Sequence, residues 1–175
     1  MANLSEAAAA PRCGELAPAF ELPDVARPVD AQPTRLRAWR QRRPVLLALL
    51  PAMAGEQRLA WLRSLADRRE AIEEAQAITL AVVEGDHDAV SALWRQADPP
   101  FPLLADADGA TLAAYLGAAA TLPALALVDQ YSVLLAVLPA ASSDAAPDID
   151  AALRDFDFAA QSDCACTLPA WPVKE

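Results

Sequence analysis

The stretch LLALLPAMAGEQRLAWLRSL, residues 46–65, decides how this chain is expected to fold. Its first part is a continuous apolar run that ends at Pro51, which is typical of a strand covered on both faces. A turn containing Gly55 follows, and a helix is predicted from Glu56 because apolar residues then recur at helical spacing. In many α/β proteins such a junction holds the reactive group, but this turn offers no Cys, Ser or His, only Arg58.

The patterns on either side of this junction predict one α/β domain. Strands separated by helices imply a parallel pair joined by a crossover, and a late hairpin adds antiparallel strands. We therefore expect a three-layer α/β/α sandwich around a mixed sheet, with a small N-terminal β extension. In chain order the expected elements are an edge strand at Phe20 and Leu22, a helical turn capped by Thr34, the buried strand before Pro51, a helix over 56–75, a buried strand over 77–84, a helix over 86–97, a short extended piece over 101–106, a turn and short helix in 107–117, a hairpin around Gln130, and a helix over 149–159.

Length and composition agree with a single globular unit. The chain has 175 residues, of which 55% are hydrophobic and 22% charged, and this balance is typical of a packed domain. We expect a loose N-terminus over residues 1–13, the folded domain over 14–160, and a C-terminal tail without periodicity over 161–175.

The charge of the chain limits its partners. A net charge of −10 disfavours nucleic acid, whose binders usually present a basic face. No run approaches the ~18 apolar residues that span a bilayer, and the N-terminus lacks the pattern of a signal peptide. We therefore expect a cytoplasmic protein that binds neither nucleic acid nor membrane. A local basic cluster is interpreted as a solvated face around a short helix, with an anion or partner patch as the alternative: Arg35, Arg37, Arg40, Arg42 and Arg43.

Several short motifs together resemble one family. They are GELAPAFELPD at 14–24, RPVLLALLP at 43–51, FPLLADADG at 101–109, YLG at 115–117 and PALALVD at 123–129. In this order they resemble the peroxiredoxins, the alkyl hydroperoxide reductase/thiol-specific antioxidant family of the thioredoxin-like superfamily. The resemblance implies a thioredoxin-like fold and descent from an antioxidant thiol peroxidase.

The motif that carries this family's chemistry is largely missing. The family has a Pro, a Thr four residues later and a Cys three residues after that, where the helix start favours a thiolate. An Arg before a late strand lowers the thiol pKa further. These positions correspond here to Pro51, Gly55, Arg58 and Pro123, and no Cys occurs between residues 14 and 163. The resemblance therefore implies a degenerate active site.

Two of these positions invite further interpretation. Arg58 opposes the helix dipole by about 0.3–1 kcal/mol, which Glu56 offsets. It cannot attack a peroxide, but it could hold a small anion or carboxylate with the backbone N–H groups. A surface arginine without a function is the preferred interpretation. The segment around Pro123 is similar to the cis-proline segment of thioredoxins, which implies a cis peptide bond with a structural role.

The cysteines lie outside the expected domain core. Cys164 and Cys166 form a C-x-C pair, which could make a strained disulfide or supply two thiolate ligands. A redox role and a metal site are both open for this pair. The preferred interpretation is that it has neither. Cys13 is interpreted as incidental, and His87 is the only histidine. We expect no metal and no cofactor.

Two acidic motifs are interpreted as local structure. ADADG, residues 105–109, lacks the third early ligand and the late Glu of a calcium loop, so a turn is expected. Asp86, His87 and Asp88 could form an acid–base pair. A helix N-cap with an acidic first turn explains them better.

Two hypotheses for function follow. The first is a peroxiredoxin-like protein that has lost its peroxidatic Cys and serves as a non-catalytic binding or interaction module, for a protein partner or a small anion. The second is a thiol–disulfide oxidoreductase or atypical peroxidase that uses Cys164 and Cys166, with Cys13 as a resolving thiol. A homodimer is compatible with the resemblance, and Trp39, Trp61 and Trp171 are considered either for its face or for the core.

Overall fold

The computed structural model describes residues 11–28, 30–117 and 121–163, with residues 157–163 described by their backbone alone. Its strands are β1 Glu21–Leu22, β2 Thr34–Arg35, β3 Val45–Leu50, β4 Ile78–Glu84, β5 Leu103–Asp106, β6 Ala124–Val128 and β7 Leu134–Pro139. Its helices are α1 Gly55–Asp67, α2 Arg69–Glu74, α3 His87–Ala97, α4 Ala110–Leu116 and α5 Ile149–Asp163, with a 3-10 helix over Leu36–Trp39.

Strand β3 lies at the centre of a five-stranded mixed sheet. The strand order is β5-β4-β3-β6-β7, in which β3 is parallel to β4 and antiparallel to β6. Every residue of β3 is at most 1% exposed. This confirms the strand covered on both faces that its continuous apolar sequence predicts, and the late hairpin is confirmed as the antiparallel pair β6–β7.

Two apolar cores separate three layers. On one face of the sheet, Leu62 of α1, Val90 of α3 and Phe156 of α5 belong to a core that includes alternate residues of β3, β4 and β6. On the other face, the N-terminal segment and α4 cover the intervening residues, with Phe20 and Tyr115 among the buried side chains. The chain therefore has the three-layer α/β/α architecture and mixed sheet that its pattern predicts.

The N-terminal β extension is a two-stranded antiparallel sheet of β1 and β2. It is fastened to the domain by an isolated bridge between Asp24 and Leu104, and by the Val25 N–H, which donates to the Leu103 carbonyl at 3.0 Å. The edge strand expected at Phe20 and Leu22 is therefore present, as a short strand that starts at Glu21.

Local details correct three expectations and confirm one. Thr34 is in β2 and does not cap the following 3-10 helix, because it pairs with Leu22 across the small sheet. The helix expected over 56–75 is two helices that meet at Arg68, whose φ of −101° and ψ of 10° are not helical. The extended piece over 101–106 contributes β5, an edge strand parallel to β4. The closing helix continues to Asp163.

The tryptophans divide between core and surface. Trp61 is only 2% exposed in the first core, so it is excluded from an exposed dimer face. Trp39 is half-buried against the second core. Trp171 lies outside the described residues.

The hydroxyl of Tyr115 joins α4 to the N-terminal segment, and its removal should weaken the fold. Tyr115 is 1% exposed, and its hydroxyl donates to the Pro18 carbonyl at 2.8 Å. We expect Tyr115→Phe to lower the free energy of unfolding by about 1 kcal/mol, as is typical of one buried hydrogen bond. Urea denaturation measures the change. Tyr131→Phe, at a side chain that is 47% exposed, is the matched control and should change it by under about 0.5 kcal/mol. Equal effects of the two substitutions would contradict this role.

Candidate active site at the carboxyl ends of the strands

The positions that the resemblance assigns to the active site meet at one edge of the sheet. Pro51 follows β3, and the parallel strands β4 and β5 end beside it at Glu84 and Asp106. Because β6 is antiparallel and Ala124 pairs with Leu49, its preceding residue Pro123 lies next to the end of β3. The fold therefore brings Pro51 and Pro123 together, as the motif requires.

One peptide group at this edge is held from both sides by charged side chains. The carbonyl of Pro51 accepts a hydrogen bond from the Arg58 guanidinium at 3.0 Å. The N–H of the same peptide group, on Ala52, donates to Glu84 Oε2 at 2.7 Å. Hydrogen bonds that involve a charged group are stronger than neutral ones. The turn between β3 and α1 is thus fixed by a cation from α1 and an anion from β4, and we call this arrangement the Pro51–Ala52 clamp.

Arg58 is a half-buried residue. Burial lowers the pKa of its guanidinium, and the charge of Glu84 raises it in part. Its Nε is buried and has no partner among the described residues. A guanidinium stays protonated in proteins and has no lone pair for nucleophilic attack. Arg58 can therefore orient a peptide group, but it cannot replace a thiolate.

The start of α1 is fixed by side chains rather than by a special backbone conformation. Gln57 Oε1 accepts the N–H of Ala54 at 3.0 Å, which satisfies one of the free donors at this helix start. The side-chain amide of Gln57 also contacts Asp144 in the loop before α5. Gly55 is exposed, and a Cβ there would meet nothing within 4 Å. The turn would therefore accommodate a side chain at the position of the family's Thr.

Asp106 stabilises the beginning of α4 from within the protein. It is 1% exposed, and its carboxylate accepts the N–H groups of Leu112 at 2.8 Å and Thr111 at 3.4 Å. Burial raises the pKa of this carboxyl, the two hydrogen bonds lower it in part, and the neighbouring charge of Asp108 raises it again. Asp108 in turn accepts the N–H of Ala110 at 3.0 Å. The ADADG motif is confirmed as a turn that starts a helix.

The Asp86–His87–Asp88 motif is also local structure. Asp86 is the N-cap of α3 and accepts the N–H of Ala89 at 2.8 Å, as expected. The Nδ1 atom of His87 lies 3.3 Å from Ser91 Oγ and 3.9 Å from Asp88 Oδ1. In the part of the chain that the structure describes, no three His, Cys, Asp or Glu side chains are grouped so that they could hold a metal ion.

The structure separates Cys13 from this edge. The N–H of Gly14, the next residue, donates to the Leu134 carbonyl at 2.8 Å, and Leu134 pairs with Val128, which pairs with Val45. Cys13 therefore lies beside β7, at the end of the sheet where β3 begins, and the length of β3, about 16 Å at 3.3 Å per residue, separates that end of the sheet from Pro51. Cys164 and Cys166 lie outside the described residues.

Pro123 differs from the expectation in one respect. No cis peptide bond occurs among the described residues, so the cis bond implied for Pro123 is wrong. Its carbonyl accepts the Ala140 N–H at 2.8 Å, beyond the end of the β6–β7 ladder. Pro123 is buried at this edge.

Sequence reasoning missed Glu84 as a residue of the site. An acidic residue that ends an apolar strand next to Gly85 is a weak signal for such a position. Its hydrogen bond to Ala52 joins residues 32 positions apart, so only the parallel pairing of β3 and β4 reveals it.

The sheet order and the three layers are those of a thioredoxin-like protein. Comparisons with known proteins agree with this fold class. A model of the AhpC/TSA family matches residues 13–137, and the chain therefore belongs to this family.

Solved structures share this fold at low identity. The peroxidoxin BcpB of Mycobacterium tuberculosis has a TM-score of 0.69 at 22% identity, over 83% of this chain and 96% of its own. The reduced 2-Cys peroxiredoxin of Plasmodium vivax has a TM-score of 0.74 at 18% identity, over 93% of this chain and 91% of its own. The mitochondrial 2-Cys peroxiredoxin of Plasmodium falciparum has a TM-score of 0.72 at 12% identity, over 90% of this chain and 99% of its own. No match was found among the curated proteins. None of the helices within the described ranges has the length and apolarity needed to cross a bilayer.

The raised pKa of Asp106 makes a prediction about pH. A carboxyl whose pKa is raised on folding stabilises the folded state below its unfolded pKa, and this contribution is lost as the pH rises through the folded pKa. Asp106→Asn removes that dependence. The unfolding free energy of the variant minus that of the native chain should therefore increase from about pH 4, near the ordinary carboxyl pKa, and then level off. Urea denaturation at a series of pH values measures this difference. A difference that is constant with pH would contradict the burial of a titrating carboxyl.

Proposed function

We propose that this chain is an AhpC/TSA-family protein that has lost thiol peroxidase chemistry at the β3–α1 turn and acts as a non-catalytic binding or interaction module. The observation that carries the proposal is the Pro51–Ala52 clamp. The Arg58 side chain, at the position of the peroxidatic Cys in the family motif, is hydrogen-bonded to the turn itself. The position thus has a structural role in place of a reactive one.

The other groups of the motif support the same conclusion. The family's late Arg corresponds to Pro123, which carries no charge that could lower a thiol pKa or orient a peroxide. Cys13 lies beside β7 at the opposite end of the sheet, so it is poorly placed to supply a thiol at this turn. Within residues 14–163 no other Cys is available.

The surface beside the turn supports a binding role. A cavity of 230 Å³ lies between α1 and the loop before α5, and Trp61 forms its inner wall. The carboxylates of Glu56 and Asp144 and the hydroxyls of Ser64 and Ser143 belong to the same lining. Such a lining attracts positive charge, so we expect a basic side chain of a protein partner there rather than a small anion.

Turnover measurements separate this proposal from the thiol-enzyme alternative. Hydrogen peroxide and a small disulfide are offered to the full chain with dithiothreitol or reduced thioredoxin as electron donor. We expect no consumption above the rate without protein. A homodimer is a separate proposal, tested by light scattering on the same sample.

Cysteine variants identify which thiols are responsible for any activity that is found. Turnover that Cys164→Ser or Cys166→Ser abolishes would overturn the non-catalytic proposal in favour of the C-terminal pair, and Cys13→Ser then shows whether Cys13 acts as the resolving thiol. Turnover that survives removal of all three cysteines would contradict both hypotheses.

A further inference from the structure

A second cavity, of 170 Å³, lies at the amino ends of β3 and β4, at the other end of these strands from the clamp. Trp39 of the 3-10 helix, Ile72 of α2 and Phe101 before β5 belong to its lining. Trp39 packs against one core of the domain and Phe101 against the other. The cavity therefore lies at the end of the sheet where the two faces meet, and its lining combines apolar residues with polar and charged ones.

A gap in the sheet exposes backbone polar groups to this cavity. The Ile78 N–H donates to the Pro44 carbonyl at 3.0 Å, so the N–H and carbonyl of the next residue, Thr79, point the other way, toward the segment before β5. On that side the Ala81 N–H donates to the Pro102 carbonyl at 3.1 Å.

The hydrogen bonds between β4 and β5 cannot continue one step further toward the amino ends of these strands. The next bond would join the Thr79 carbonyl to the N–H of residue 102, and Pro102 has no N–H. No hydrogen bond from the Thr79 N–H to another described residue is present, and Thr79 lines the cavity. One donor and one acceptor of the main chain are therefore left for a ligand.

The charged side chains of the lining add positive charge. Arg69 Nε is 2.6 Å from Glu73 Oε1, whereas Arg43 forms no ion pair within the described ranges. Positive charge is therefore in excess in this cavity.

We propose that this cavity binds a small aromatic carboxylate. An apolar cavity of about 150 Å³ holds a benzene ring, so a volume of 170 Å³ accommodates one ring with a short polar group. The ring packs between Trp39 and Phe101, whose aromatic faces favour another ring. The carboxylate accepts hydrogen bonds from the Arg43 guanidinium and from the Thr79 N–H. This site does not use the β3–α1 turn and is independent of the proposed function.

Titration with benzoate tests the site on the full chain. In ¹⁵N-labelled protein we expect benzoate to shift the Thr79 amide resonance and to slow its hydrogen exchange. The Ala81 amide, which already has a partner, is the internal control. Benzamide has the same shape without the charge, and we expect it to bind at least about tenfold more weakly, since a charge-assisted hydrogen bond contributes about 1.5–3 kcal/mol.

One pair of variants completes the test. Arg43→Gln should weaken benzoate binding about tenfold, whereas Arg40→Gln, at an exposed arginine of the same basic cluster outside the lining, should not. The proposal is overturned if benzoate leaves the Thr79 amide unchanged, if benzamide binds as well as benzoate, or if Arg43→Gln and Arg40→Gln behave alike.

Discussion

The structure of this edge of the sheet depends on the two hydrogen bonds that hold the peptide group between Pro51 and Ala52. Its carbonyl is bound by Arg58 and its N–H by Glu84. Both side chains are available because β3 and β4 are parallel and end together, and because α1 begins immediately after the turn. An isolated guanidinium at a helix start would be unfavourable. Here a carbonyl and a neighbouring carboxylate offset that cost, and Arg58 becomes part of the fold.

The rest of the edge is consistent with this role. Asp106 ends β5 and binds the first N–H groups of α4, and Gln57 binds an N–H at the start of α1. These side chains therefore accept hydrogen bonds from backbone N–H groups that could otherwise bind a substrate or an anion. Fold and activity are separable in general, since activity depends on particular side chains at a shared position.

The sequence predicts the layers well because their signals are local. The apolar run of β3 and the 3.6-residue period of α1 are each contained in a short window. The failures involve contacts between distant residues. Thr34 pairs with Leu22, twelve residues away, instead of capping a helix. The clamp depends on Glu84, which is far from Ala52 in sequence. The motif therefore identifies Arg58 but does not indicate that Glu84 binds the same peptide group.

A double-mutant cycle on Arg58 and Glu84 tests the central claim most directly. Arg58→Ala, Glu84→Ala and the double variant are compared with the native chain by urea denaturation. If the two side chains hold one peptide group together, their effects on the free energy of unfolding are not additive, and the coupling should be roughly 0.5–3 kcal/mol. Additive effects, within about 0.3 kcal/mol, would mean that Arg58 and Glu84 act independently, and the clamp would not account for the turn.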